Sequence, residues 1–245
     1  MALLEALLEL ADDHLILGHR VSEWCGHAPM LEEDLAMPNM ALDLIGTSRT
    51  LYDYAAKVEG AGQSEDDMAY LRDERGYRNC LLVERPNGDF AQTMLRQLYF
   101  AAFMEPYWQS VLATTDDEVL RGVAGKAVKE MAYHIRHAGE WVIRLGDGTE
   151  ESARRMAEAV QALDIYVDEL FEEGAAGDVD ALPSRAAVQP KWEETIRHIF
   201  GQAGLEFVPS QFPQTGGRVG KHGEGLGHLL AVMQSVYRAH PGATW

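Results

Sequence analysis

The chain has 245 residues, with 39 acidic against 21 basic side chains and a formal charge of −18. Hydrophobic residues make up 47%, which excludes wholesale disorder and leaves enough chain to bury a core without disulfide or metal staples. With about two acids per base, the surface repels phosphate backbones and anionic headgroups, so neither a nucleic-acid nor a membrane partner is expected. Cys25 and Cys80 have no CxxC partner and read as reduced thiols. Met1 to Leu10 holds Glu5 and Glu9 with no basic segment, unlike a signal peptide, and the longest apolar run, Leu98 to Met104, is too short to span a bilayer. The expectation is a soluble cytoplasmic protein.

Apolar residues recur at helical spacing along almost the whole chain. Leu3, Leu7, Leu10, His14, Leu17, Val21 and Cys25 share one face of a first helix, which Gly26 and Ala28-Pro29 end. A second helix spans about Leu31 to Val58; it is apolar on most of its circumference and closed by Gly60-Ala61-Gly62. Residues 63–88 are polar and broken, with a short helix near Asp67 to Arg72 and a turn at Pro86-Asn87-Gly88. A third helix carries the stripe Ala91, Met94, Leu95, Leu98, Ala101, Ala102 and Leu112, and Pro106 within it predicts a kink. Thr115-Asp116-Asp117-Glu118 starts a fourth helix that runs to Leu145 before Gly146-Asp147-Gly148. Thr149 starts a fifth, ending near Glu173-Gly174. A sixth follows Pro190 and a last spans about Leu226 to Arg238, between loops rich in Gly and Pro.

The spacing predicts one all-α domain over residues 1–245: a four-helix bundle core at about 3–173 with C-terminal helices and loops at 174–245. Residues 63–88 are long enough for the crossover that a ferritin-like bundle requires.

Such a bundle raises the question of a di-iron centre. The recipe is a Glu from each of two helices and a Glu-x-x-His from each of the other two. No Asp or Glu in this chain stands three residues before a His; Glu23/His27, Glu130/His134, Glu194/His198 and Glu224/His228 are all four apart. His14 occupies the middle of the first helix, where a carboxylate would be needed, and reads more readily as a core histidine bonded to a neighbour. Asp43, set among apolar residues, reads as a structural hydrogen-bond acceptor, and Glu105 is blurred by the following Pro106. Glu130, Tyr133 and His134 lie on a polar stripe with Lys126, His137 and Trp141, where Lys126, Glu130 and His134 form an ion-pair ladder. His14, Asp43, Glu105, Glu130, Tyr133 and His134 are thus candidates for a degenerate site. Gly217-Arg218-Val219-Gly220-Lys221 departs from a phosphate loop at Thr215 and His222 and has no strand before it.

Several stretches carry a resemblance: Glu23-Trp24-Cys25-Gly26-His27-Ala28-Pro29, Leu42-Asp43-Leu44-Ile45-Gly46, Arg72-Asp73-Glu74-Arg75, and Leu82 to Phe90. Lys129-Glu130 with Tyr133-His134, and the tail from Thr215-Gly216-Gly217 through His240-Pro241-Gly242 to Trp245, continue it. Together they resemble the family of C subunits of phenylacetyl-CoA epoxidase, in order and over nearly the whole chain. The resemblance implies a ferritin-like fold. It also implies membership of a bacterial monooxygenase that epoxidises the ring of phenylacetyl-CoA in aerobic phenylacetate degradation. A related A-type subunit is expected to carry the di-iron centre and the substrate, and a small B-type subunit and a reductase with FAD and a 2Fe-2S cluster complete the system. The C-type member is expected to be structural, with no catalytic residue and no cofactor of its own.

Two alternatives stand beside it. One is a self-sufficient metal-dependent oxygenase or hydroxylase using Asp43, Glu105, Glu130 and His134; the other is a free-standing helical interaction protein. A further expectation is that Arg218, Lys221 and His222 form a loop near the coenzyme A phosphates, against the plainer reading of solvated loop charges.

Overall fold

The computed structural model describes residues 1–243; Thr244 and Trp245, the end of the tail motif, lie outside the described residues. The described residues hold ten α-helices and no strand. They are α1 (Ala2–Ser22), α2 (Leu31–Glu59), α3 (Glu65–Tyr70), α4 (Leu81–Glu84), α5 (Phe90–Thr114), α6 (Glu118–Gly146), α7 (Glu150–Leu163), α8 (Gln189–Ala203), α9 (Glu224–Met233) and α10 (Ser235–Ala239). Among the described residues no helix is long and apolar enough to cross a membrane. The chain divides into two compact units, Met1–Pro86 with Gly216–Trp245, and Asn87–Thr215. Residues 174–215 fall in the second unit and the tail in the first.

In the first unit α1 packs along α2. The two come close at Gly18, where an added Cβ would stand 2.8 Å from Ile45 Cγ1. Helix α2 runs through Pro38 and ends at Gly60, whose φ of +69° suits glycine and whose N–H bonds the Ala56 carbonyl at 3.0 Å. A Ser64–Asp67 capping box starts α3. The single turn α4 has no counterpart in the sequence expectation, because a few residues between a turn and Pro86 carry no helical period. The expected last helix breaks at Gln234, whose amide donates to the Arg72 carbonyl at 3.0 Å and to the Tyr77 hydroxyl at 2.9 Å.

In the second unit α5 packs along α6, and α7 and α8 pack against both. The Asp89 side chain caps α5 by accepting the Gln92 N–H, and Asp117 caps α6 by accepting those of Val119 and Leu120. Helix α5 continues through Pro106 and is buried over most of its circumference. Trp192 of α8 donates its indole N–H to the Tyr99 carbonyl at 3.0 Å, amid a cluster that includes Phe103, Phe171, Phe200 and Phe207. The fifth helix stops at Leu163, not near Glu173, and short 3-10 turns follow to Asp178. Tertiary bonds override the helical period there. Asp164 accepts the Tyr99 hydroxyl, and the Ile165 carbonyl accepts the Gln214 N–H at 2.7 Å.

Candidate functional site

The second unit contains the candidates on α5 and α6. His134 is fully buried, and its Nδ1 accepts from the Gln97 amide at 3.0 Å, which places the ring proton on Nε2. Gln97, on α5, is itself fully buried. One turn earlier on α6, Glu130 pairs with the Lys126 ammonium at 2.9 Å. Tyr133 is exposed, its ring stacked on His137 at 6.0 Å between centroids, with the Arg136 guanidinium 5.4 Å from it. Glu105 is half-buried, accepts from the Gln109 amide, and has its pKa raised by desolvation.

In the first unit His14 is buried, and its Nδ1–H donates to the Leu10 carbonyl at 2.7 Å, the core-histidine arrangement. Asp43 is half-buried on α2. Among the described residues no group of three or more His, Cys, Asp or Glu side chains is placed to hold a metal ion. The Gln97 amide bonds Nδ1 of His134, and the acid one turn away pairs with a lysine. The described residues do not supply the Glu and Glu-x-x-His set that a di-iron centre of this kind uses.

The helical period puts no carboxylate on the apolar face of α1, and there the structure adds most. Glu9, Asp12 and Asp13 are all buried. Asp12 accepts from both terminal nitrogens of Arg72, from the Tyr52 hydroxyl, and from the Arg78 N–H at 2.7 Å. The Arg72 guanidinium also lies over the Tyr77 ring, 4.4 Å from its centroid. Asp13 accepts the Cys80 N–H at 2.8 Å and pairs with the Arg218 guanidinium at 2.8 Å. Burial alone would lower the pKa of both arginines, but the charges of Asp12 and Asp13 and their neighbours outweigh it and raise the values above the ordinary range. Burial, with Asp12 second, drives the Tyr52 hydroxyl well above its usual value.

A third constellation joins the tail to the turn before α5. His222 directs Nδ1 to Glu84 Oε2 at 2.7 Å and Nε2 to the Tyr77 carbonyl at 3.1 Å. Glu84 also accepts the Asn79 amide at 3.0 Å and the Gly223 N–H at 2.6 Å, while Arg20 donates to the carbonyls of Glu84 and Gly225. Burial works against a charged imidazole, but the Glu84 bond and charge prevail, so the His222 pKa is raised.

These bonds correct the expected cationic loop. Arg218 is buried against Asp13 and the His222 side chain is enclosed against Glu84, so neither is available to a phosphate. Lys221 alone of the three is exposed, at the rim of an open cavity of about 590 Å³ shared with Glu74 and Arg75. A lone Arg or His in a Gly-rich loop gives no sign of its buried partner eighty or more residues away. Neither Cys25 nor Cys80 is in a disulfide; the first is exposed and the second buried.

A family model described as "Phenylacetic acid catabolic protein" matches residues 1–245. A relative from Escherichia coli (strain K12), the C subunit of 1,2-phenylacetyl-CoA epoxidase, is 40% identical over 245 residues, covering 97% of each chain. The match spans both compact units, and the helical content agrees with it. The chain belongs to the phenylacetic acid catabolic protein family, whose fold is ferritin-like.

Proposed function

We propose that this chain is the structural, non-catalytic subunit of a multicomponent monooxygenase that epoxidises the ring of phenylacetyl-CoA in phenylacetate breakdown. The observation that carries the reading is the engagement of its polar groups, most of them buried, with one another. Gln97 holds His134, Lys126 holds Glu130, Arg72 holds Asp12 and Arg218 holds Asp13. Ligand carboxylates must be left available to a metal, whereas these are neutralised by guanidinium and ammonium groups.

The role follows from what such a core does well. Buried ion pairs fix the register of the segments they join, and a rigid subunit can hold a neighbour's helices in place. The neighbour is a cytoplasmic A-type subunit bearing the di-iron centre and the acyl-CoA, with a small B-type subunit and an FAD/2Fe-2S reductase completing the assembly. Catalytic residues and cofactors are assigned to those partners.

The test is to purify the A-type subunit with and without this chain and compare iron content and turnover, and to assay iron in this chain alone. The expected result is loss of iron or turnover in the A-type subunit without its partner, and substoichiometric iron in this chain. Equal iron and turnover in the two preparations would refute the supporting role. Near-stoichiometric iron in this chain would instead favour a self-sufficient oxygenase built on Asp43, Glu105, Glu130 and His134.

A further inference from the structure

Helix α2 is apolar on two opposite faces. One is buried and carries Met37, Met40, Ala41, Leu44, Leu51 and Tyr52. On the other, Leu31, Leu35 and Leu42 are 70%, 62% and 66% exposed. At about 100° per residue these three leucines fall within about 40° of one another, along about 16 Å of helix axis. A single exposed leucine needs no explanation, but three in one stripe on a long, well-formed helix do.

The surroundings of the stripe restrict what can cover it. Glu32 is exposed beside Leu31, and Asp34 and Asp43 are half-buried along its flanks. Arg49, at the far end of the stripe, is paired with Glu65 at 3.1 Å. The border is therefore acidic, on a chain that already carries a charge of −18. A second copy would bring the same acids against themselves, and an anionic lipid surface would be repelled.

We propose that Leu31, Leu35 and Leu42 form the centre of the surface on which a neighbouring oxygenase subunit docks, and that this subunit presents an apolar helix ridge bordered by Lys or Arg. The inference rests on the subunit reading above and adds to it the face and the chemistry of the partner. Three leucines do not make an interface alone. They supply the apolar centre of one that buries about 800 Å² on each partner, while Glu32, Asn39 and Asp43 supply its polar rim.

The experiment uses the full chain co-purified with the A-type subunit. A Leu35→Asp/Leu42→Asp variant is compared with wild type and with Leu35→Met/Leu42→Met, folding being checked by circular dichroism. The expected result is a Kd raised about 100-fold for the Asp pair and little changed for the Met pair. Wild-type affinity in the Asp variant would overturn the assigned face and leave the subunit reading intact. Failure of the wild-type chain to bind the A-type subunit would overturn both.

A second measurement does not depend on the Asp variant folding. An environment-sensitive fluorophore on Leu35→Cys, in a Cys25→Ser background, should shift to the blue when the A-type subunit is added, and an unchanged emission would overturn the assignment. Sizing of the wild-type chain alone should give a monomer. A dimer abolished by the Asp pair would assign the stripe to self-association and refute the proposed partner.

Discussion

The Gln97 amide donates to Nδ1 of His134 at 3.0 Å, with both side chains closed off from water. The bond makes α5 and α6 complementary at a point where neither residue could be tolerated without a partner. Gln97→Leu keeps the approximate volume and removes the donor. A buried acceptor that loses its bond costs about 1–3 kcal/mol. The urea midpoint of Gln97→Leu should fall accordingly, while Gln109→Leu, at an exposed position of the same helix, should be near wild type. Equal midpoints for the two variants would show that the bond carries no stability.

The helices that surround this pair were legible because their apolar period is long and unbroken. The boundaries of α2 agree with the sequence expectation to within a residue, and α6 starts two residues later than expected, capped by Asp117 in place of Thr115. The ion pairs beneath them were not. Asp12 and Asp13 fall outside the apolar stripe of α1, so periodicity assigns them to solvent. They are instead covered by Arg72, Cys80 and Arg218, residues sixty to more than two hundred positions away. The same blindness assigned Arg218 and His222 to a surface loop. Helical period reports which face is apolar, and it cannot report that the polar face is also roofed over.

Breaking a buried pair leaves one charge without compensation, at a cost of about 3–5 kcal/mol. Arg218→Met removes the cation and leaves Asp13 with only the Cys80 N–H. We expect a loss of that order, and faster amide exchange across Gly216–Gly223 than at the Trp192 cluster of the other unit. A double variant, Asp13→Leu/Arg218→Met, should recover much of the loss, since an apolar pair needs no compensation. No recovery in the double variant would mean that the backbone bond from Cys80 to Asp13 matters more than the ion pair.

His222 makes stability depend on pH in a predictable direction. Both ring nitrogens face oxygen acceptors, Glu84 Oε2 and the Tyr77 carbonyl, so the folded state favours the doubly protonated ring. Asp12 adds to the same field, while the guanidinium of Arg20, bonded to the Glu84 carbonyl, and that of Arg85, close to Gly223, oppose it. The folded pKa lies above the ordinary histidine value of 6.5. The contribution is therefore complete below pH 6.5 and is lost as pH rises through the folded value. Urea midpoints measured from about pH 6 to 9 should decline in wild type and decline less in His222→Gln. Parallel curves would remove His222 as the source.

Asp164 behaves as a second acid-favoured group, in the other unit. Burial raises its pKa from 3.8 to about 6, and the bond from the Tyr99 hydroxyl offsets only part of that. Because the folded state binds this proton more tightly, the contribution is present below about pH 4 and lost as pH rises through about 6. At neutral pH a buried charge remains that an amide would not carry. Asp164→Asn should therefore raise stability at about pH 7 by about 1–2 kcal/mol, its partial exposure reducing the effect, and change it little at about pH 4. A variant that is less stable at both pH values would show that the Tyr99 bond needs the carboxylate.

Gly217 sets how closely the tail approaches the turn before α4. A Cβ at this position would stand 2.1 Å from the Asn79 carbonyl oxygen and 3.2 Å from the Cys80 Cα, so backbone would have to move. The next residue is Arg218, bound to Asp13, and His222 is anchored on Glu84, so the displacement would act on both anchors. Overpacking of this kind costs about 1–3 kcal/mol. Gly217→Ala should lose that much and speed exchange of the Cys80 and Gly223 amides, which Asp13 and Glu84 hold. The control is Gly122→Ala, on the exposed side of α6, where the added Cβ meets nothing within 4 Å. There the gain in helix propensity should stabilise by up to about 1 kcal/mol. The two substitutions add the same methyl group and should move the unfolding midpoint in opposite directions. Movement in the same direction would show that the tail can shift without disturbing the buried ion pairs it covers.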